Sequence, residues 1–106
     1  MKILICGGRD FDNYQYLEGV IDDKIRLIKL LYPEDKSGIE IVSGGAKGAD
    51  NLAEKYAREN NYTLRIFPAN WDKNGKGAGI IRNKEMAVYL HQSPEPNRVV
   101  AFWDGK

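Results

Sequence analysis

The stretch GIEIVSGGAKGADNLAEKYAREN (38–60) passes from an apolar run through a glycine-rich turn into a helix-like repeat. The run IEIV (39–42) has the β-branched, apolar composition of a buried strand. Beyond the turn, apolar residues recur at the spacing of one helix face, with charged residues on the other: Ala49, Leu52, Ala53, Tyr56 and Ala57. The stretch therefore predicts a strand, a tight turn and an amphipathic helix.

The rest of the chain continues this alternation. Further strands are predicted at 2–6, 63–67 and 98–103, and further helices at 14–31 and about 79–90. Asp12 with Gln15 resembles a capping box before the first of these helices, and Pro33 follows its end. Short strands that alternate with helices pair in parallel through crossover connections. We therefore expect a small Rossmann-like α/β three-layer sandwich, with a mainly parallel sheet of about four strands in the order β-α-β-α-β-α-β.

Composition narrows the classes of function. The 106 residues are enough for one domain over 1–106, and a net charge of +1 gives no global attraction to nucleic acid or to an anionic membrane. The apolar runs are too short to span a membrane, and the single Cys6 cannot form an intramolecular disulfide, which fits a cytoplasmic protein. No residue cluster has metal-ligand spacing, and no motif requires a cofactor. A soluble protein acting on a small molecule is expected.

Three segments follow the predicted strands: GGRD (7–10), SGGAKGAD (43–50) and the loop with its helix start (68–83). The carboxyl ends of parallel strands all lie along one edge of a sheet, across the ends of the strands, and ligands bind just outside this carboxyl edge. In SGGAKGAD, Gly44 and Gly45 let an anion approach the unpaired N–H groups of a helix start. Neither the Walker A nor the GxGxxG spacing is present. The turn either holds a phosphate or only joins a strand to a helix.

Cationic residues occur in the same three segments. Arg9, Lys47, Lys76 and Arg82 all fall at the predicted edge, and Asn83 follows Arg82. Taken singly, each cation is also typical of a solvated or ion-paired side chain. Their concentration at one edge of a nearly neutral protein favours an anionic ligand.

Acidic and aromatic residues suggest the rest of a nucleotide. Asp10 and Asp50 are suited to ribose hydroxyls, although Asp50 can equally complement the helix dipole and Asp10 can cap a turn. Trp71, in a polar loop, and Trp103 offer flat faces on which a base can stack, although Trp103 is also typical of a core residue. The predicted binding residues are Gly7, Gly8, Arg9, Asp10, Ser43, Gly44, Gly45, Ala46, Lys47, Gly48, Asp50, Trp71, Arg82 and Asn83.

Four segments together resemble a known family: ILICGGRDFDN (3–13), IVSGGAKGADNLAEKYA (41–57), FPANWDKNGKGAGIIRNKEM (67–86) and VVAFWDGK (99–106). They are similar, in order and over nearly the whole chain, to the YspA/YpsA-related branch of the SLOG (Smf/DprA–LOG) superfamily. The resemblance implies a Rossmann-like fold that binds a nucleotide or nucleotide-derived ligand, with the phosphate at 43–50. Such proteins usually continue with another loop and helix, so the domain over 1–106 would lack the family's C-terminal helix.

The LOG phosphoribohydrolases of that superfamily suggest an enzymatic alternative. Gly44, Gly45 and Gly48 match their first glycine motif, and Arg82 is the counterpart of their catalytic arginine. Their second motif, PGGxGTxxE, supplies a glutamate for N-glycosidic cleavage, whereas this chain has WDGK at 103–106. Asp10 or Asp50 would have to replace that glutamate, and Asp50 is the candidate catalytic residue that we place beside Arg82.

Two further expectations follow from charge and from the sheet. Single-stranded DNA binding, as in the DprA relatives, is disfavoured by the near-neutral charge and the few aromatic residues available for stacking. A sheet that stops at the fourth strand leaves an open edge, which favours a homo-oligomer or a shortened chain.

Binding of a nucleotide-derived ligand, as a sensor or processing domain, is the leading hypothesis. A LOG-like N-glycosidase is the alternative.

Overall fold

The computed structural model describes residues 1–94 and 96–102. Its elements are β1 (Lys2–Gly7), α1 (Tyr14–Leu31), β2 (Glu40–Ser43), α2 (Ala49–Glu59), β3 (Thr63–Ile66), α3 (Trp71–Asn74), a 3₁₀ turn (Gly75–Gly77), α4 (Ala78–His91) and β4 (Asn97–Phe102). The strands pair in parallel in the order β3-β2-β1-β4. The prediction of a small Rossmann-like α/β sandwich is confirmed.

The sheet is covered by helices on both faces. Ile3 and Ile5 are fully buried in the larger core cluster, together with the inward faces of α1 and α2. Leu4, between them, belongs to a smaller cluster with Met86 and Leu90 of α4. Successive strand residues point to opposite faces, so the uninterrupted apolar run ILIC (3–6) of β1 is what a central strand between two helix layers requires.

Helix α1 has the predicted extent but a different cap. Asn13 is the N-cap residue, and its side chain accepts a hydrogen bond from the N–H of Tyr16. The predicted capping box of Asp12 and Gln15 is wrong, because the helix begins at Tyr14 and the cap position is therefore 13. The helix ends before Tyr32, whose non-helical backbone is typical of a residue that precedes a proline.

The predicted loop before α4 contains helical structure. Asn70 accepts a hydrogen bond from the N–H of Lys73 and so caps the four-residue helix α3. A helix this short has too few residues to show a periodic pattern in the sequence. The strands shift by about one residue from their predicted bounds, and β4 is described to Phe102, so Trp103 lies outside the described residues.

The connections bring distant segments to one edge of the sheet. Helices α1 and α2 connect successive strands on one face, and α4 runs on the opposite face from β3 to β4. Because every strand is parallel, the carboxyl ends of β1 and β2 and the first turns of α2 and α4 all lie at the same edge.

Candidate ligand-binding site

A cleft of about 640 Å³ opens at the carboxyl ends of β1 and β2. The three segments predicted to converge do meet there. Predicted binding residues that line the cleft are Gly7, Arg9, Gly44, Gly45, Ala46, Lys47, Asp50, Arg82 and Asn83. The cleft therefore collects residues from β1, the turn before α2 and the first half of α4.

The other predicted residues lie around the cleft or outside it. Asp10 is exposed and does not line the cleft. The carbonyl of Gly8 accepts hydrogen bonds from Phe11 and Ala49, so Gly8 ties the turn after β1 to the start of α2. The predicted stacking role of Trp71 concerns a side chain outside the described part of the structure.

Ser43 and Gly48 shape the loop between β2 and α2. The buried Ser43 hydroxyl accepts a hydrogen bond from the N–H of Gly45 and donates one to the carbonyl of Asp50, both at 3.1 Å. Gly45 and Gly48 have φ values of 74° and 77°, which favour glycine. A side chain on Gly48 would collide with the backbone of Gly8 and Arg9. Ser43 and Gly48 therefore each need their residue type for the turn.

Two backbone donors of this loop remain open. The N–H groups of Gly45 and Ala46 are taken by Ser43 and Asp50 respectively. Those of Lys47 and Gly48 donate no hydrogen bond within the described residues. They directly precede the first turn of α2, where the helix dipole is positive. The loop therefore presents unpaired donors and a partial positive charge at one place.

Gly44 is enclosed by two side chains. The Arg82 guanidinium donates a hydrogen bond to the Gly44 carbonyl, and its Nε donates another to Asn83 at 2.9 Å. A Cβ on Gly44 would lie 2.6 Å from Nη1 of Arg82 and 2.8 Å from Oδ2 of Asp50. The predicted reason for this glycine was open access for an anion. The structure gives another, since the space is needed for Arg82 and Asp50.

Asp50 is a buried carboxylate at the base of the loop. It is 6% exposed, and its Oδ2 accepts a hydrogen bond from the N–H of Ala46 at 3.2 Å. Burial raises the pKa of the Asp50 carboxyl above its usual range, and the backbone of Ala46, the charge of Arg82 and the backbone of Gly44 offset this only in part. The carboxylate therefore holds the loop in shape from inside the cleft.

Three cations line the cleft without a close counter-ion. Arg9 and Lys47 are exposed and Arg82 is half-buried. In the described part of the chain, none of the three has a carboxylate oxygen within 4.0 Å. Asp50 is the acidic residue among the lining residues. The charge that lines the cleft is therefore predominantly positive, and the neighbouring Asp50 offsets the charge of Arg82 only in part.

Sequence reasoning missed four lining residues: Cys6, Pro68, Ala69 and Met86. Pro68 and Ala69 belong to the segment 68–83 that was predicted to reach this edge, although they were not named as binding residues. Cys6 is near the end of β1, so the same rule could have included it. Met86 lies one helical turn after Arg82 and could have been found from that spacing. These residues give the cleft an apolar part beside its cationic part.

Cys6, the last residue of the first predicted strand, is half-buried and lines the cleft. Burial and then the neighbouring Asp50 raise the pKa of its thiol. A thiol with a raised pKa is protonated at neutral pH and is a poor nucleophile. Cys6 therefore contributes surface to the cleft rather than reactivity.

The described residues offer neither a metal site nor a membrane-spanning helix. Across 1–94 and 96–102, no group of three or more His, Cys, Asp or Glu side chains is placed to hold a metal ion. Within the same residues, no helix combines the length and the apolar character needed to cross a membrane.

Comparison with known proteins identifies the family. The model of the YspA, cpYpsA-related SLOG family (YAcAr) matches residues 1–74. The chain belongs to this family. The match confirms the resemblance seen in the sequence and suggests nucleotide-related binding or processing in general. It includes the loop at 44–48 but ends before α4, so what Arg82 does has to be argued from its geometry.

A phage protein is also similar to this SLOG chain. The gene 61 protein of Mycobacterium phage D29 is 31% identical over 90 residues, which cover 80% of this chain and 66% of the phage protein. The chain thus spans just under two thirds of the length of that relative. No solved structure matches the chain.

Proposed function

We propose that this SLOG protein binds a nucleotide or nucleotide-derived phosphorylated ligand in the cleft, with the phosphate at residues 44–48. One observation carries the proposal. The loop has open N–H groups at Lys47 and Gly48 and borders the cleft. Arg9, Lys47 and Arg82 line this cleft, and none of them forms an ion pair within 4.0 Å among the described residues.

Phosphate is the anion that suits this combination best. A helix start with unpaired backbone donors attracts an anion through both hydrogen bonds and the helix dipole. Arginine adds paired donors that match the geometry of phosphate oxygens, and lysine adds a point charge. Arg82 keeps donor capacity beyond its bonds to Gly44 and Asn83, because a guanidinium has five N–H groups.

The size and lining of the cleft favour more than inorganic phosphate. A volume of about 640 Å³ falls within the roughly 300–1,000 Å³ typical of small-molecule sites. The apolar part of the lining, formed by Cys6, Pro68, Ala69 and Met86, gives a sugar or base a surface to pack against. The combination of a cationic part and an apolar part supports a nucleotide-derived ligand.

Isothermal titration against AMP, ADP-ribose, nicotinamide dinucleotides and cyclic nucleotides tests the proposal. Gly45 is exposed with a φ of 74°, and an added Cβ would lie 3.1 Å from Cγ2 of Ile66, so any substitution strains the loop and the two variants must be matched in shape. Gly45→Asp places a negative charge at the loop, and Gly45→Asn places a side chain of nearly the same shape without the charge. We expect Gly45→Asp to weaken binding at least about tenfold more than Gly45→Asn does.

Two results would contradict the proposal. One is that no compound of the panel binds the unmodified chain. The other is that the aspartate and asparagine variants bind equally well, since charge at the loop would then not matter.

A LOG-like N-glycosidase is the second candidate, because Asp50 and Arg82 line the same cleft and burial raises the pKa of Asp50. Loss of a base from a ribosyl centre passes through an oxocarbenium-like state that a carboxylate stabilises. In the structure both side chains are engaged by the loop, Asp50 with Ala46 and Arg82 with Gly44. That engagement favours binding over turnover.

Incubation with nucleoside monophosphates, followed by chromatography for free base, separates the two functions. Release of base that Arg82→Ala abolishes would support the enzyme. Binding of a nucleotide without release of base would leave the binding function alone.

A further inference from the structure

The buried carboxylate of Asp50 lies beside the place proposed for the phosphate. Asp50 lines the ligand cleft, yet it is 6% exposed, and its Oδ2 accepts a hydrogen bond from the N–H of Ala46 at 3.2 Å. Ala46 directly precedes Lys47 and Gly48, whose N–H groups are open. The loop therefore holds a negative charge with one amide and offers the next two amides to an anion.

A phosphate on this loop and the Asp50 carboxylate would be two negative charges close together. Neighbouring backbone nitrogens are less than about 4 Å apart, and a phosphate oxygen that accepts from Lys47 would lie about 3 Å from its nitrogen. With the observed bond to Ala46, these lengths place that oxygen at most about 10 Å from Oδ2 of Asp50. Repulsion over this distance is poorly screened when one of the charges is buried.

Neighbouring groups offset this repulsion only in part. Arg82 of α4 is the cation whose charge acts on the Asp50 carboxyl, and it outweighs burial neither alone nor together with the backbone donors. The same guanidinium is proposed to bind the phosphate, which would compete for the charge that now stabilises the carboxylate. The Cys6 thiol of β1 is near Asp50 and is uncharged at neutral pH. On α2 itself, Glu54 is paired with Arg58.

The remaining charged groups near α2 are cations of the cleft or belong to other contacts. Arg9 and Lys47 line the cleft and are exposed to solvent. Asp22 of α1 accepts a hydrogen bond from the Tyr56 hydroxyl, further along α2, and Arg65 of β3 lies over aromatic rings on the other face of the sheet. A proton on the buried carboxylate is therefore the direct way to remove the repulsion.

We propose that binding of a phosphorylated ligand at residues 44–48 is coupled to the uptake of one proton from solvent, which Asp50 holds in the complex. The proposal rests on the proposed function, because it requires a phosphate at this loop. The neutral carboxyl no longer repels the phosphate and becomes a hydrogen-bond donor, while Oδ2 still accepts from Ala46. Burial favours this change, since it already raises the pKa of Asp50 in the ligand-free protein.

Linkage fixes the sign of the effect on affinity. The pKa of Asp50 is higher in the complex than in the ligand-free protein, so between these two pKa values the affinity rises as the pH falls. Asp50→Asn mimics the neutral carboxyl. We expect this variant to bind at least about threefold more tightly than the unmodified chain at about pH 7.5, and to lose most of the pH dependence.

Isothermal titration with ADP-ribose tests the coupling, because its phosphates have no proton to gain between about pH 5 and about pH 8. Titrations at about pH 6.5 in MES and in imidazole, which differ in their heat of ionisation, give the number of protons taken up. AMP is the second probe. Its own phosphate titrates at about pH 6, so the uptake is the difference between the unmodified chain and Asp50→Asn. Asp23→Asn is the matched control, because Asp23 is 74% exposed on α1 and should leave the uptake unchanged.

The ¹³C shift of the Asp50 side-chain carboxyl follows the same proton in the unmodified chain, whether or not the variant folds. We expect saturating ADP-ribose or AMP to raise the pKa of this carboxyl. Adenosine, which lacks the phosphate, should leave it unchanged, and the exposed carboxyl of Asp23 is the internal reference.

Failure of the coupling can be told from failure of the proposed function. Absence of binding by both ADP-ribose and AMP would count against the proposed function and would overturn the coupling with it. Binding without proton uptake, or with uptake that Asp50→Asn retains in full, would overturn the coupling alone. The same holds if the Asp50 carboxyl titrates at the same pH with and without the ligand.

Discussion

Arg82 of α4 donates a hydrogen bond from its guanidinium to the carbonyl of Gly44, at the end of β2. This bond joins the helix on one face of the sheet to the loop that leads into α2 on the other face. Oδ2 of Asp50 is close to the same place, so a side chain on Gly44 would displace Arg82 or Asp50. The shape of the loop therefore depends on Arg82, which is far in sequence from Gly44 and Asp50.

Arg82→Ala should lower both stability and ligand affinity. The variant loses a partly buried, charge-assisted hydrogen bond and a cation of the cleft, so we expect the free energy of unfolding to fall by about 1–3 kcal/mol. Nucleotide affinity should fall about tenfold or more. Urea unfolding and isothermal titration measure the two effects.

Arg26→Ala is the control for that variant. Arg26 is 70% exposed and lies 2.7 Å from the 74% exposed Asp23 within α1, a surface ion pair of small energetic value. We expect stability to change by less than about 0.5 kcal/mol and affinity to stay the same. Equal effects of the two variants would show that Arg82 acts only as one of many surface cations.

Gly48→Ala should destabilise the protein, while Gly19→Ala should stabilise it. Gly48 has a φ of 77° and its added Cβ would collide with the backbone after β1, so we expect a loss of at least about 2 kcal/mol. Gly19 is exposed within α1 with nothing near its added Cβ, and alanine there should add about 0.5–1 kcal/mol. Thermal or urea unfolding measures the change in stability for each variant. If Gly48→Ala also stabilised the protein, the packing described at Gly48 would be contradicted.

The stability difference between the unmodified chain and Asp50→Asn should depend on pH. Burial raises the pKa of Asp50 in the folded state above the ordinary value of 3.8. Between these two pKa values the folded state binds more protons at this site than the unfolded state does, so the stability due to Asp50 falls as the pH rises. Other carboxyl groups are common to both proteins and largely cancel in the difference.

We therefore expect Asp50→Asn to gain stability relative to the unmodified chain as the pH rises from about 3.5 to about 7. Urea unfolding at several pH values measures this trend. A difference that shrinks with rising pH would mean that hydrogen bonds and Arg82 outweigh burial and lower the pKa of Asp50.

The alternation of strands and helices could be predicted because each element carries a strong periodic signal. The apolar residues of α1 recur at helical spacing and are the residues it buries, and β1 is apolar on both faces because both are covered. Helix α3 could not be predicted, since four residues are about one helical turn. The observed N-cap of α1 is one residue later than predicted, because Asn and Asp are both favoured N-cap residues and occur side by side at 13 and 12.

The site could be predicted only in part. Parallel pairing dictates that Arg9, Lys47 and Arg82 meet at one edge, and they do line one cleft. The enclosure of Gly44 and the burial of Asp50 depend on how α4 packs over the loop, which no local pattern encodes. The sequence does not distinguish a glycine that leaves space for a ligand from a glycine that leaves space for another side chain of the same protein.

The most direct test of phosphate binding at residues 44–48 is an NMR titration of the ¹⁵N-labelled chain with AMP, with adenosine as the control that lacks the phosphate. We expect AMP to cause saturable shifts that are largest at the backbone amides of Lys47 and Gly48 and in the first turn of α2. Adenosine should leave those amides nearly unchanged. Shifts of the same size with both compounds, or AMP shifts confined to residues outside the cleft, would contradict a phosphate site at this loop.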